Sequence, residues 1–241
     1  MEIINGADLN KDIGVSFLLY APPKVGKTTI LGKLPGKTLV IDTDKGAIVL
    51  AGNKNIDIVR IRSLEELTEV YNSLKKGHKY DNICIDTLTE IRESFLGNAA
   101  KTSKTKEGKD MGTPQLNDYG KVKYTLVNIL RDYKALTDDN VNVGFTAWEI
   151  SHELTDPEGN KTTFQIPQVG GAKGDDANTI CGLVDIVGRV KVDSDNERYI
   201  QLAPIDGDCI AGDRLFGRSN ARAEDLLTGL KPKPETKKEG K

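Results

Sequence analysis

No apolar run in the sequence approaches the ~20 residues that a membrane-crossing helix needs. The first residues, MEIINGADLNKD, have neither a basic start nor an apolar core, so no secretory leader is expected. Charge of one sign is also missing. The 34 Lys and Arg face 36 Asp and Glu, a net of −2. Nothing global therefore draws the chain to nucleic acid or membrane, and any DNA contact needs a local basic patch. Cysteines are few: Cys84, Cys181 and Cys209 are far apart and odd in number. That argues against a disulfide framework and for reduced core thiols in a cytoplasmic protein. His78 and His152 are isolated, and no metal-ligand spacing involves them or the cysteines. No internal repeat is visible. The 37% hydrophobic content still suits an ordinary core, and 241 residues suit one domain or one with an insertion.

What is present is concentrated in Val15–Ile30, VSFLLYAPPKVGKTTI. An apolar and aromatic run predicts a buried strand, and a Pro-containing loop follows. Gly26-Lys27-Thr28-Thr29 then opens a helix. This is the phosphate-loop pattern G-x-x-x-x-G-K-[ST], with Ala21 in place of the first Gly. Its chemistry needs this layout. Backbone N–H groups at a helix start point at the anion, and Gly26 allows close approach. Pro22, Pro23, Lys24, Val25, Gly26, Lys27, Thr28 and Thr29 are the expected nucleotide-binding residues. Lys27 offers a cation to the β/γ-phosphates, and the Thr28 hydroxyl is a natural Mg²⁺ ligand.

Further along, Thr38–Ile41 predicts a second buried strand ending in Asp42-Thr43-Asp44. Ligands in open α/β sheets sit beyond the carboxyl ends of strands. Asp44, ahead of Asp42, is therefore the candidate to polarise an attacking water, against a plain Asx turn. Ile56–Ile61 predicts a strand. Ser63 and Glu66 form a capping box before a helix with Leu64, Leu67, Val70, Tyr71 and Leu74 on one face. Asn82–Asp86, NICID, is a buried strand ending in an acid, and Asp86 is the second expected Mg²⁺ ligand. Thr87, Thr89 and Glu90 share its rim.

Residues 101–113 carry four lysines without apolar periodicity and are expected as a loop. Pro114–Thr137 predicts a long helix, with Leu116, Tyr119, Leu126, Leu130 and Tyr133 on its inner face. Val141–Ala147 is the next strand. Glu149, just past its end, is a candidate phosphate sensor or else an ion-pair partner. His152–Val169 predicts a hairpin turning at Asp156–Asn160, and Gly170–Gly174 a flexible segment around Lys173. A helix near Asp175–Cys181 then leads to a final antiparallel pair, Val184–Val192 and Tyr199–Ala203, at the sheet edge. Arg214, within Asp213–Arg218, is a candidate to stabilise phosphate charge or to pair with an acid. Residues 1–225 are expected to form the core, and 226–241 a charged, disordered tail. A GTPase would need N-K-x-D, and Asn53-Lys54-Asn55-Ile56 lacks the acid.

YAPPKVGKTT, LVIDTD and NICIDTLTE, taken together, resemble the motifs of RecA-like core ATPases. The chain is most similar to small phage recombinases that assist single-strand annealing, over Ser16–Arg218. The resemblance implies an α/β fold with a mainly parallel twisted sheet flanked by helices and a C-terminal antiparallel hairpin. It implies ATP and Mg²⁺ as cofactors and ATP hydrolysis linked to single-stranded DNA. Residues 101–113 and Glu149–Asp176 lie where such ATPases carry DNA-binding loops, which implies DNA contacts for Lys104, Lys106 and Lys173. The segment GDRLFG resembles an element that reaches a neighbour's ATP, and only its Arg214 carries over. Self-assembly into a filament or ring is implied, with a single-strand-binding protein as a further candidate partner and a bacterial host cytoplasm as the setting. A switch or loader acting on a protein partner, or a small-molecule kinase, is the alternative.

Overall fold

The computed structural model describes residues 14–102, 113–155, 157–170, 175–205 and 207–227. Among the described residues six strands form a parallel core: β1 (Ser16–Ala21), β2 (Thr38–Asp42), β3 (Ile56–Arg60), β4 (Asn82–Asp86), β5 (Asn142–Thr155) and β7 (Ile186–Val192). Their order is β7-β1-β5-β4-β2-β3. Antiparallel additions are β6 (Lys161–Pro167) on β5, β8 (Arg198–Gln201) and β9 (Gly212–Asp213) on β7, and β10 (Asn220–Ala221) on β8. The fold is thus a mostly parallel sheet flanked by helices, the arrangement of a P-loop NTPase core.

The unbroken apolar runs follow from burial on both faces. Side chains alternate along β1. Leu18 and Tyr20 enter a cluster covered by α2 (Leu64–Lys75), α3 (Leu88–Thr102), α4 (Leu116–Lys134) and α5 (Asp175–Leu183). Phe17 and Leu19 enter a second, smaller cluster with α1 (Lys27–Leu31) and Leu226. On β5, a side chain at Gly144 would meet Phe17 at 2.3 Å and the Cys84 sulfur at 2.8 Å, so a residue without Cβ is required between β1 and β4. All three cysteines are buried and free. Burial pushes the Cys181 thiol up to about 12 and, with Asp208, the Cys209 thiol to about 11, as expected for inert core thiols.

Several expectations shift. Helix α3 occupies a stretch expected to begin as rim residues and end in loop. On α4, Tyr119 is exposed. Val122 and Val127 join Leu126, Leu130 and Tyr133 on the buried face instead. The predicted edge pair is β7 and β8, but β10 lies outside it. Leu226 and Leu227 are buried, so the packed chain runs past residue 225. The expected capping box of α2 forms only in half: Glu66 N–H donates to Ser63 Oγ at 3.2 Å, but Glu66 Oε2 accepts from Arg62 N–H at 2.6 Å, one residue ahead of the N-cap, rather than from Ser63. Among the described residues no helix is long and apolar enough to cross a membrane.

Candidate nucleotide site

Buried β1 ends at Ala21 and releases the chain into the loop Pro22–Gly26. Lys24 (φ 69°) and Gly26 (φ 111°) are left-handed. Such turns curl the backbone so that successive N–H groups converge on an anion. Helix α1 has five residues, so it contributes first-turn N–H groups and no long macrodipole. More of the anion's stabilisation then falls to Lys27.

Lys27 is 7% exposed, and its ammonium donates to the carbonyls of Ala21 at 2.9 Å and Pro22 at 3.0 Å. Burial lowers its pKa, while Asp86, Asp44 and Glu149 oppose that shift. Across the loop, Thr28 Oγ1 donates to Asp86 Oδ2 at 2.6 Å. Thr146 of β5 donates to the other oxygen, Asp86 Oδ1. β5 lies between β1 and β4, so its hydroxyl fills the gap between the loop and the acid. Burial raises the Asp86 pKa; the two hydroxyls lower it, and Asp44 raises it further.

The set suits a hard divalent cation. Mg²⁺ is ordinarily held by one or two protein oxygens, with phosphates and water completing its shell. Thr28 and Asp86 supply such oxygens. Among the described residues no group of three or more His, Cys, Asp or Glu could hold a metal by itself.

Around this centre the other acids differ. Asp44 is exposed, and its Oδ1 accepts from Gly46 N–H at 2.7 Å, an Asx turn. It is close enough to raise the pKa of Glu90, after the larger effect of burial. Asp42 is buried; Oδ2 meets Arg60 Nε at 3.3 Å and Oδ1 has no partner. Glu149 is bound on both oxygens by Arg189, at 2.8 and 2.9 Å. Of the two readings of Glu149, phosphate sensor or ion-pair partner, the ion pair is the contact present, and the β5 side chain that joins Thr28 on Asp86 is Thr146. A hydroxyl at the end of the run VNVGFTA was the available signal for it.

Beyond Asp86, whose peptide to Thr87 is cis, hydroxyls tie the strand ends together. Thr87 Oγ1 donates to the Thr146 carbonyl at 2.9 Å. Thr89 Oγ1 accepts from Trp148 N–H at 2.8 Å and donates to the Gln168 carbonyl at 3.0 Å. Arg92 Nε donates to the Gly170 carbonyl at 2.8 Å. The strand-end acid is thus connected to the segment entering residues 171–174. A cavity of about 1010 Å³ opens beside Thr43 and Glu90, with Lys45, Arg60, Arg62, Lys121 and Phe95 in its walls.

Arg214 lies at the other end of the sheet. Its guanidinium is 3.6 Å from Asp185, which accepts from Ser16 Oγ at 2.6 Å. Ser16 and Ala21 bound β1, so roughly 16 Å of strand separates Arg214 from its own loop. Lys104, Lys106 and Lys173 lie outside the described residues.

No curated protein matches the chain. A family model described as AAA domain matches residues 13–215, which contain the loop, Asp86 and Thr146. That span covers most of the sequence, and the chain therefore belongs to the AAA domain family of P-loop ATPases.

Proposed function

We propose that the chain is an ATP-hydrolysing recombination protein of the phage type, acting on single-stranded DNA in a bacterial host cytoplasm. The observation that carries the nucleotide part is the Thr28–Asp86 contact at 2.6 Å beside the buried Lys27. In this reading the phosphates lie in the loop from Pro22 to Thr29. Lys27 exchanges its carbonyl acceptors for β/γ-phosphate oxygens. Thr28 and Asp86 would hold Mg²⁺, which when bound would supply neutralisation of the phosphate charge. Asp44 keeps one oxygen in its Asx turn and uses the other to orient the attacking water.

The DNA part is supported by the cavity beside Glu90. Its walls include residues of α3 and α4, the helices on either side of the segment that contains Lys104 and Lys106. Arg92 and Thr89 tie Gly170 and Gln168 to the nucleotide site, a few residues ahead of Lys173 in the sequence, and in this reading Lys173 contacts DNA. Arg214 is too far from its own loop to act there, so it serves a neighbouring copy in a filament or ring. A single-strand-binding protein is a further candidate partner.

ATP turnover measured with and without single-stranded DNA at low salt tests this reading. Stimulation by DNA is expected; absence of both stimulation and DNA binding overturns the recombinase assignment. A second reading, an ATP-bound switch that controls a protein partner, is favoured by the Asx turn that occupies Asp44. Asp44→Ala separates the two: loss of turnover with retained ATP binding supports hydrolysis through Asp44.

A further inference from the structure

Gly26 is crowded from outside the loop. A Cβ there would lie 2.1 Å from Arg198 Nε and 2.7 Å from its Cδ. Arg198 Nε donates to the Val25 carbonyl at 2.9 Å. The glycine therefore answers to two demands: a left-handed backbone, and room for a guanidinium laid over the loop. Among the described residues, no carboxylate lies within ion-pair distance of Arg198, and its two η nitrogens make no hydrogen bond.

The side chain is delivered by a stiff support. Arg198 pairs with Val192 where the β7–β8 hairpin begins. In the turn, Asp193 Oδ1 accepts from Glu197 N–H at 2.8 Å and Asp195 N–H at 3.1 Å. Arg222 spans the hairpin from the C-terminal side, 3.2 Å from Asp193 and 3.3 Å from the Arg198 carbonyl. Nearby, Glu224 reaches Lys33, just past α1, at 3.7 Å. The outer edge of the sheet thus braces both the loop and its helix.

We propose that Arg198 is a nucleotide-positioning residue, supplied by the edge hairpin to hold the phosphate loop in its anion-binding shape. It acts through Val25 and Gly26, on the polyphosphate of a nucleoside di- or triphosphate, and so rests on the nucleotide-binding reading above. A carbonyl fixed on the outside of a peptide fixes the N–H of the next residue on the inside. Bonding Val25 C=O therefore aims the Gly26 N–H into the loop. Because ADP and ATP share this loop, both should depend on Arg198 alike, unlike a residue that meets only the γ-phosphate.

The test compares wild type, Arg198→Met and Arg198→Lys for binding of ADP and of a non-hydrolysable ATP analogue, together with nucleotide-free melting. Arg198→Met keeps the apolar stem and loses the donor; about tenfold weaker binding of both nucleotides is expected, the scale of one charge-assisted hydrogen bond. Arg198→Lys keeps a cationic donor and should recover most of that loss. Nucleotide-free melting should stay at the wild-type value in both. Wild-type affinity in Arg198→Met overturns the proposal. So does an affinity loss matched by a lowered nucleotide-free melting point in both variants, since the residue is then structural. If wild type binds neither nucleotide, the nucleotide-binding reading itself fails, a result that is distinct from either.

Discussion

The two ends of the central sheet use similar side chains for opposite purposes. At the amino end, Asn82 Nδ2 donates to the Pro35 carbonyl at 2.7 Å and to Thr38 Oγ1 at 3.0 Å, and Asn82 Oδ1 accepts from Asn142 at 2.9 Å. Asn142 in turn accepts from Val15 N–H at 3.1 Å. Asp185 binds Ser16 through backbone and side chain and lies near Lys134 and Arg214. These groups satisfy one another, so the belt holds strands in register and asks nothing of a ligand. At the carboxyl end, burial and crowding raise the pKa of Asp86 and Glu90, while burial lowers that of Lys27. Charge there is only partly compensated. A divalent cation and a polyphosphate would complete the compensation, which is why one end is reactive and the other structural.

Breaking this contrast starts with the largest effect. Lys27→Ala should cost turnover on the order of 100-fold or more, by analogy with loss of one fixed oxyanion donor. Its nucleotide-free melting should change little, because a buried ammonium is no asset to stability. Steady-state hydrolysis and a thermal melt check both halves. Asp86→Asn should also abolish Mg²⁺-dependent turnover, whereas Thr146→Val, which only frees Asp86 Oδ1, should lose roughly tenfold. Equal losses in a magnesium titration would show that Thr146 does more than orient the acid.

At the amino end the pattern should invert. Asp185→Ala should lower stability by roughly 1–2 kcal/mol in denaturant unfolding, with nucleotide affinity unchanged. The smallest effects concern pH. Asp57, on β3, is held below the ordinary carboxylate range by hydrogen bonds to Lys37 and Tyr80. Its contribution is present above its unfolded pKa and lost as pH falls through the folded value, so Asp57→Asn should flatten the acid limb of the stability profile. Glu90 is shifted upward, first by burial and then by Asp44. Its penalty applies above the raised value and vanishes as pH falls through it. Glu90→Gln should therefore gain stability at neutral pH and none in acid.

Much of the fold was legible because its signals are local. The apolar runs of β1, β2 and β4 mark strands buried on both faces, and Ser63 with Glu66 marks the start of α2. Lys27, Thr28 and Asp86 were legible because the phosphate loop and the strand-end acid each carry their own context. Helix α3 escaped because Gly97 and scattered charges blur its apolar face. β9 and β10 have two residues each, too few for a period. The role of Thr146 depends on β5 lying between β1 and β4, and strand order is a non-local property. The same holds for the Glu149–Arg189 pair and for Arg198, whose partner in the loop is far away in sequence.

One strand has a mechanical consequence. β5 runs without a break from Asn142 to Thr155, and only its first part lies within the parallel core. Thr146 touches Asp86 within the part of β5 still paired with β1, and from Glu149 to Thr155 about 20 Å of extended strand, paired with β6, continues beyond the parallel core. A tilt of about 5° where the ribbon leaves the core, after Trp148, would carry its far end through roughly 2 Å. One continuous strand therefore joins the acid's hydroxyl partner to a ribbon anchored at its base by Arg189 on Glu149, so the two would move as one piece without any element unfolding.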